Sequence, residues 1–552
     1  MRRKFLSSLL LALLLSSCHS GEVSFDSSDS ALPSITSASV PDEVRSSSSE
    51  TTSSSSSETP KETEINIYAI NDFHGAIEES GDQPGILKLG SYLKEKRKEE
   101  NTILLNSGDM FQGSFASNYN RGAFLEDIMN DIHFDAFTIG NHEFDWGQDA
   151  LKNLINRKNS TTQYSTPYLG ANIYNYNIET DATGDFANIG EKYTITTLAN
   201  GLKVGIIGII GENQITSITS SYVENLTFVD PVPVVKTLSD ELRTEKGCDV
   251  VLLSAHTDEE DLLSQGLTSI SPNSKKKYVD AVFCAHTHQK EKTIENGVAF
   301  LQGGTKGEYV SHIKLKFENG SAATEVYSNN SASYLTYPSI DPSIQNIYAT
   351  YRTETNTIAN QKVATLSKKM GRYHSDKTPV MNLVTEAFGS YALDKNGNNF
   401  ASVSYSIGNV SRSYLPSGDV TYSQLFEALP FDNRVYIGTA KGADIYDYLT
   451  AESYGNYANF FTRYDAAALD TKKTYHIAII DYCVKHRNVY RALDYFPSFV
   501  EEGYLKKNGQ DWNYREVTKD YLAAFPGTVQ VNNYASSLAI HDASKLEEAI
   551  TL

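Results

Sequence analysis

Short, almost wholly apolar runs rich in β-branched residues recur between residue 65 and about residue 340: Ile65–Ile70, Ile103–Leu105, Ala136–Ile139, Val204–Ile210, Val250–Ser254 and Ala281–Cys284. Runs of that length without alternation predict strands buried on both faces. The stretches Ile86–Glu100 and Gly122–Ile132 lie between them and predict helices, so residues 65–340 read as a layered α/β domain. Pro338 to Lys368 is polar and largely helical in pattern: Asp341-Pro342 supplies a cap and a first helical residue, and Ile344, Ile347, Tyr348 and Tyr351 share one face. A helical connector over 341–366 is therefore expected. After it, residues 367–552 form a second unit, rich in Tyr and Asn, with mixed helix and strand signals.

The N-terminal end follows no such pattern. Arg2, Arg3 and Lys4 precede an apolar run from Phe5 to Leu15 and then Leu15-Ser16-Ser17-Cys18, the outline of a secretory signal too short to span a bilayer. The run resembles a bacterial lipoprotein signal. It implies an exported chain, facing the periplasm or the cell surface, held to the membrane by a lipid on Cys18; a plainly cleaved signal is the alternative. From His19 to Glu64, 17 of 46 residues are Ser and one is aromatic, too little apolar surface to offset ordering entropy, so this segment reads as a disordered stalk. Of four cysteines, lipidation of Cys18 would leave Cys248, Cys284 and Cys483, an odd and scattered set that implies no disulfide framework. With 48 Lys and Arg against 68 Asp and Glu, the net charge of −20 argues against a partner that is a nucleic-acid polymer. An anionic ligand would need local cations or metal.

The chemistry gathers behind the predicted strands. Asp72-Phe73-His74 follows the first, Gly108-Asp109 the second, Gly140-Asn141-His142-Glu143-Phe144-Asp145 the third, His256 the run Val250–Ser254, and His286-Thr287-His288 the run Ala281–Cys284. The carboxyl ends of strands are where an α/β sheet collects its ligand site. Taken singly, Asp109 could be a helix cap and His256 or His286 a satisfied core residue. Together they suit two divalent ions: imidazole and carboxylate ligate Mn, Zn, Fe or Co, and a carboxylate can bridge ions about 3.5–4 Å apart to activate water for in-line attack at phosphorus.

Asn71-Asp72-Phe73-His74-Gly75, Ser107-Gly108-Asp109-Met110-Phe111-Gln112-Gly113-Ser114, Gly140-Asn141-His142-Glu143-Phe144-Asp145 and Ala285-His286-Thr287-His288 resemble the successive signatures of the calcineurin-like metallophosphoesterases, more narrowly the family of 5′-nucleotidases, UDP-sugar hydrolases and 2′,3′-cyclic-nucleotide phosphodiesterases. The resemblance implies a four-layer α/β/β/α sandwich followed by an α+β substrate-binding domain. It implies one ion held by Asp72, His74, Asp109 and His288 and a second held by Asp109, Asn141, His256 and His286, with Asp109 as the bridge. His142 would be the catalytic imidazole, charged and oriented by Asp145, and Glu143 a structural hydrogen-bonding residue.

In the second unit, Ser406-Ile407-Gly408-Asn409-Val410-Ser411-Arg412 and Leu429-Pro430-Phe431-Asp432-Asn433 resemble the family's substrate-binding motifs. By that resemblance Gly408 and Arg412 would grip the anion, and Phe431 with Tyr482 would clamp a base, stacking being worth roughly 1–3 kcal/mol per base. Phe431 and Tyr482 could equally be core residues. The chain keeps the Arg but loses most of the family's glycine turn, and Asn488 stands beside Arg487 where the family has a ribose-binding Asp; Arg372 or Lys377 would have to replace an upstream Arg. The expected function is an extracellular 5′-nucleotidase acting on a nucleotide or other small phosphate ester. The alternatives are a cyclic-nucleotide phosphodiesterase or UDP-sugar hydrolase and, in another class, a catalytically degenerate nucleotide- or host-binding surface lipoprotein.

Overall fold

The computed structural model describes residues 63–257, 260–332, 337–371, 379–391, 403–406, 411–450, 459–461, 470–484, 496–525 and 527–531. All six predicted strands form, as Thr63–Ile70, Thr102–Asn106, Ala136–Thr138, Lys203–Ile210, Val250–His256 and Ala281–Ala285. They divide between two six-stranded sheets. One runs in the order Ser321–Ser331, Tyr309–Glu318, Thr63–Ile70, Thr102–Asn106, Ala136–Thr138, Tyr168–Leu169, and the other Lys290–Glu295, Val298–Gly303, Ala281–Ala285, Val250–His256, Lys203–Ile210, Tyr193–Thr197. The central strands of each are parallel, so their carboxyl ends point the same way within a sheet.

The uninterrupted apolar runs explain the layering. Ile65, Ile67, Ile103 and Leu105 of the first sheet meet Val204, Ile206, Val250, Leu252 and Phe283 of the second in one buried cluster. On the outer face of the first sheet, Tyr68, Ile70 and Leu104 pack under helices Gly85–Lys96 and Ala123–Ile132; on the outer face of the second, Ile207, Val251 and Leu253 pack under Pro231–Thr244 and Glu260–Leu267. Residues apolar on both faces of a strand need cover on both sides, and the four-layer α/β/β/α sandwich supplies it. Among the described residues, no helix is long and apolar enough to cross a membrane.

The expected connector needs correction. Its helix is Pro342–Ala359, capped by Asp341 whose side chain accepts from the backbone N–H groups of Ser343 and Ile344. It stops well short of residue 366, because Lys362–Leu366 is a strand pairing antiparallel with Gly418–Thr421 and parallel with Thr528–Val529. Beyond the cap at Asn360, buried Ala364 and Leu366 alternate with more exposed neighbours, the period of two that suits a half-buried strand. The predicted face is right and is used on the first domain: Ile344, Ile347, Tyr348 and Tyr351 pack against its core, and the Tyr351 hydroxyl donates to Asp127 at 2.7 Å.

The second domain is α+β. A five-stranded sheet in the order Asn459–Phe461, Val403–Ser406, Thr474–Ile480, Val435–Lys441, Val500–Tyr504 packs with helices Pro379–Tyr391 and Tyr514–Ala523 around one core that includes Leu383, Phe388, Ile477, Ile479, Tyr514 and Tyr521.

Candidate active site

Four of the five strands run into tight loops that turn polar side chains inward, and the fifth ends on His256 itself. Asp72, His74, Asp109, His286 and His288 all take left-handed backbone, with φ of 46°, 48°, 54°, 83° and 59°. For residues other than glycine such conformations cost free energy and persist where surrounding bonds dictate them. Those bonds are present. Asp72, His74 and Gly75 donate their N–H groups to the carbonyls of Gly108, Asp109 and Met110 at 2.9–3.0 Å, lacing the first two loops together, and His286 N–H donates to Asp72 Oδ2 at 3.0 Å. Gly140 is needed for space: a Cβ there would collide with Asp109 Oδ1 and His256 Cε1.

The loops converge. His74 and His288 bring their Nε2 atoms 3.0 Å apart, and Asp72 Oδ1 lies 3.9 and 3.4 Å from them. His256 Nε2 is 3.3 Å from Asp109 Oδ2 and 3.2 Å from Asn141 Oδ1, which is also 3.1 Å from His286 Nδ1. Ligand atoms of Asp72, His74 and His288 form one compact group, those of Asp109, His256 and His286 another, and a third group of His74, Asp109 and His142 joins them. All seven sequence-predicted donors are therefore brought together, with His288 at the exposed mouth.

The donor chemistry fits two cations. Asp72 and Asp109 are fully buried carboxylates beside one another, and Asp72 Oδ1 has no hydrogen-bond partner among the described residues. Two buried anions of this kind require positive charge. On His74 and His256 the far nitrogen, Nδ1, faces the carbonyls of Gln112 and Ser107 at 3.0 and 2.9 Å, which fixes the tautomer that leaves Nε2 as a lone-pair donor. Burial lowers His74 to a pKa of about 3, whereas at His256 burial is outweighed by the Asp109 charge, which raises it to about 10 without metal. A cation binding beside His256 must displace that proton.

Next to the donors, His142 Nδ1 lies 2.7 Å from Asp145 Oδ2, and its backbone N–H donates to Asp109 Oδ1 at 2.9 Å. Burial opposes its charge, but Asp145 and Asp109 outweigh burial and hold the imidazole above its ordinary value. Glu143 is buried and accepts the backbone N–H groups of Asp109, Met110 and Gly140 at 2.8–3.0 Å, a brace for the metal loops; burial and the Asp109 charge raise it to about 7. Asn71 is a brace that motif reading names without a role: Nδ2 donates to Asp72 Oδ2 at 2.7 Å and Oδ1 accepts from the Gly303 N–H.

The second domain contributes as well. The Phe431 ring stacks on His142 with centroids 6.0 Å apart and planes at 20°, and the Arg412 guanidinium lies over Phe431 at 5.0 Å. Tyr482 stands in the helix Asp481–Val484, partly buried against the second core. Gly408, Asn488, Arg487, Arg372 and Lys377 lie outside the described residues, as do Cys18 and residues 19–62 of the expected stalk, whose last two residues, Thr63 and Glu64, instead stand in the first strand, paired with Phe317 and Lys316.

Residues 65–290 match the calcineurin-like phosphoesterase family and residues 357–463 the 5′-nucleotidase C-terminal domain. The chain is 26% identical over 412 residues to the endonuclease YhcR of Bacillus subtilis, covering 70% of this chain and 33% of that protein, so it spans about a third of that relative's length. With the apyrase of Tabanus yao it shares 28% identity over 421 residues, 68% of this chain and 71% of the relative. The crystal structure of a 5′-nucleotidase precursor from Thermus thermophilus has the same fold, with a TM-score of 0.63 at 18% identity over 85% of this chain and 97% of that one.

Proposed function

The chain belongs to the calcineurin-like phosphoesterases that carry a 5′-nucleotidase C-terminal domain, and from that premise we propose that it is an exported 5′-nucleotidase releasing phosphate from nucleoside monophosphates. The observation that carries this reading is one assembly: a cation-demanding donor set, the His142–Asp145 pair beside it, and an aromatic ring of the second domain stacked on His142. The chain is a phosphoester hydrolase of the metal-dependent kind.

Asp72, His74, Asp109 and His288 would hold one divalent ion, and Asp109, Asn141, His256 and His286 the other. When bound, the ions supply Lewis acidity toward the phosphoryl oxygens and lower the pKa of water. The protein's own groups do the rest. Asp145 accepts a hydrogen bond from His142 Nδ1–H, leaving Nε2–H to face the phosphoryl group, stabilise charge in the transition state and protonate the leaving 5′-oxygen. The Asp145 and Asp109 charges, which outweigh burial and hold His142 above its ordinary value, favour the protonated imidazole. Arg412 meets the substrate anion and Phe431 and Tyr482 hold the base. Lipidation of Cys18 would tether the enzyme to the outer face of a membrane.

Protein supplied with Mn, Zn or Co should release phosphate from AMP faster than it turns over 2′,3′-cyclic AMP or UDP-glucose. Preference for either of the latter would reassign the substrate, and no turnover with any metal would favour a binding protein. Incorporation of a labelled fatty acid that Cys18→Ala abolishes is the expected sign of the anchor.

A further inference from the structure

The amide of Asn118 joins its own loop region to Pro430, 312 residues further along the chain. Asn118 ends the short helix Phe115–Asn118 of the first domain and is 5% exposed. Its Oδ1 accepts the Gly113 N–H at 2.8 Å, and its Nδ2 donates to the carbonyl of Pro430, in the second domain, at 3.1 Å. The partners fix the orientation of the amide, since one can only donate and the other only accept. Gly113 follows Gln112, whose carbonyl orients the imidazole of His74; Pro430 precedes Phe431, whose ring stacks on His142. One side chain therefore spans the loop that aims a metal donor and the loop that presents the aromatic platform.

The carbonyls on either side are held from within the second domain. Arg515, 5% exposed, donates through Nη1 to Leu429 O at 2.9 Å and Phe431 O at 3.0 Å and through Nη2 to Asp432 Oδ1 at 2.7 Å. Phe115 and Ala359 pack with Phe426 alongside.

We propose that Asn118 is a positioning residue of the nucleotidase: it fixes the distance between the second domain's aromatic platform and the phosphoryl site, and thereby couples base recognition to hydrolysis. The inference rests on the proposed function and names a determinant of that site's substrate class, phosphate esters that carry a stackable base.

Asn118→Asp is the selective variant. The carboxylate still accepts from Gly113 but cannot donate to Pro430, so the link between domains is lost while the bond inside the first domain stays. KM for AMP should rise about tenfold, equivalent to about 1.4 kcal/mol, with kcat within about threefold. On ribose 5-phosphate, which has no base, the loss in kcat/KM should be at least fivefold smaller, and Tm should move little. Equal losses on both substrates, or an unchanged KM for AMP, overturn the proposal. If Asn118→Asp does not fold, Asn118→Ala must show the same gap between the substrates. Unsubstituted protein that fails to hydrolyse AMP overturns the nucleotidase reading; the ratio of Kd values for α,β-methylene-ADP in the two proteins still decides the role of Asn118, tenfold supporting it and unity refuting it.

Discussion

The two domains hold their contributions to the site in opposite ways. In the first, the donor side chains sit where parallel strands end, and their own backbone is locked: Asp72 and His74 are laced to the Asp109 loop, and Glu143 collects three N–H groups at once. Asp72, Asp109 and His256 are sealed from solvent. In the second, Phe431 is partly exposed and Arg412 exposed, on loops rather than strand ends, and what is gripped is the chain around Phe431, through carbonyls taken by Asn118 and Arg515. On the proposed function, the geometry that would break a phosphate ester is thus built into a sheet, while the surface that would select the ester is hung beside it. Damage to the first should appear as lost turnover on every substrate, damage to the second as weakened binding of some.

The sharpest test of that contrast is Asp109→Ala, which should lower phosphate release from any ester by more than about a thousandfold, as expected when a group central to charge stabilisation is removed. Activity retained within about tenfold, roughly 1.4 kcal/mol of barrier, would break the scheme of two bridged ions. Asp145→Asn should cost about ten- to a hundredfold in kcat on nucleotide and base-free substrates alike. Because Asp145 raises the pKa of His142, its loss should also shift the alkaline limb of the kcat profile to lower pH; a limb that stays in place would separate His142 from the proton transfer. Phe431→Ala should raise KM for AMP by roughly fivefold to a hundredfold, the equivalent of about 1–3 kcal/mol of stacking, with a much smaller effect on ribose 5-phosphate. A comparable fall on both substrates would erase the division of labour.

The smallest effect concerns the second domain alone. Glu386, 3% exposed and hydrogen-bonded by the Tyr521 hydroxyl, is raised by burial to about 8 from an ordinary value near 4.5. A carboxyl raised in the folded state contributes stability that is full below the unfolded pKa and is lost as pH climbs toward the folded one. The melting temperature should therefore fall by a few degrees between about pH 5 and pH 8, and Glu386→Gln should flatten that slope. An unchanged slope in the variant would show that Glu386 is not its source.

The first domain was largely legible in the chain. Six apolar runs became six strands, and the polar residues behind five of them were brought close together, because both properties are local to a few consecutive positions. The helical face of Ile344, Ile347, Tyr348 and Tyr351 was legible for the same reason, but the end of that helix was not: Lys362–Leu366 is drawn into a strand by partners at Gly418–Thr421 and Thr528–Val529, far along the chain. Asn118 and Arg515 gave no signal. Their roles lie in bonds to backbone carbonyls of another segment, and a carbonyl has no letter in a sequence. The left-handed conformations at Asp72, His74, Asp109, His286 and His288 were equally silent, being imposed by neighbouring loops rather than by residue type.

Those five backbone conformations restrict how the protein can change. A β-branched side chain introduced at any of them would lose a proposed metal donor and also resist the dihedral angles the loop requires, so few single substitutions there are neutral. The stretch Leu429–Phe431 faces no such double penalty, since Asn118 and Arg515 grip it through main-chain oxygens that every amino acid carries. On the proposed function, variation can therefore accumulate at the selecting surface while the hydrolytic centre stays fixed, which gives one catalytic core room to acquire new substrates without being rebuilt.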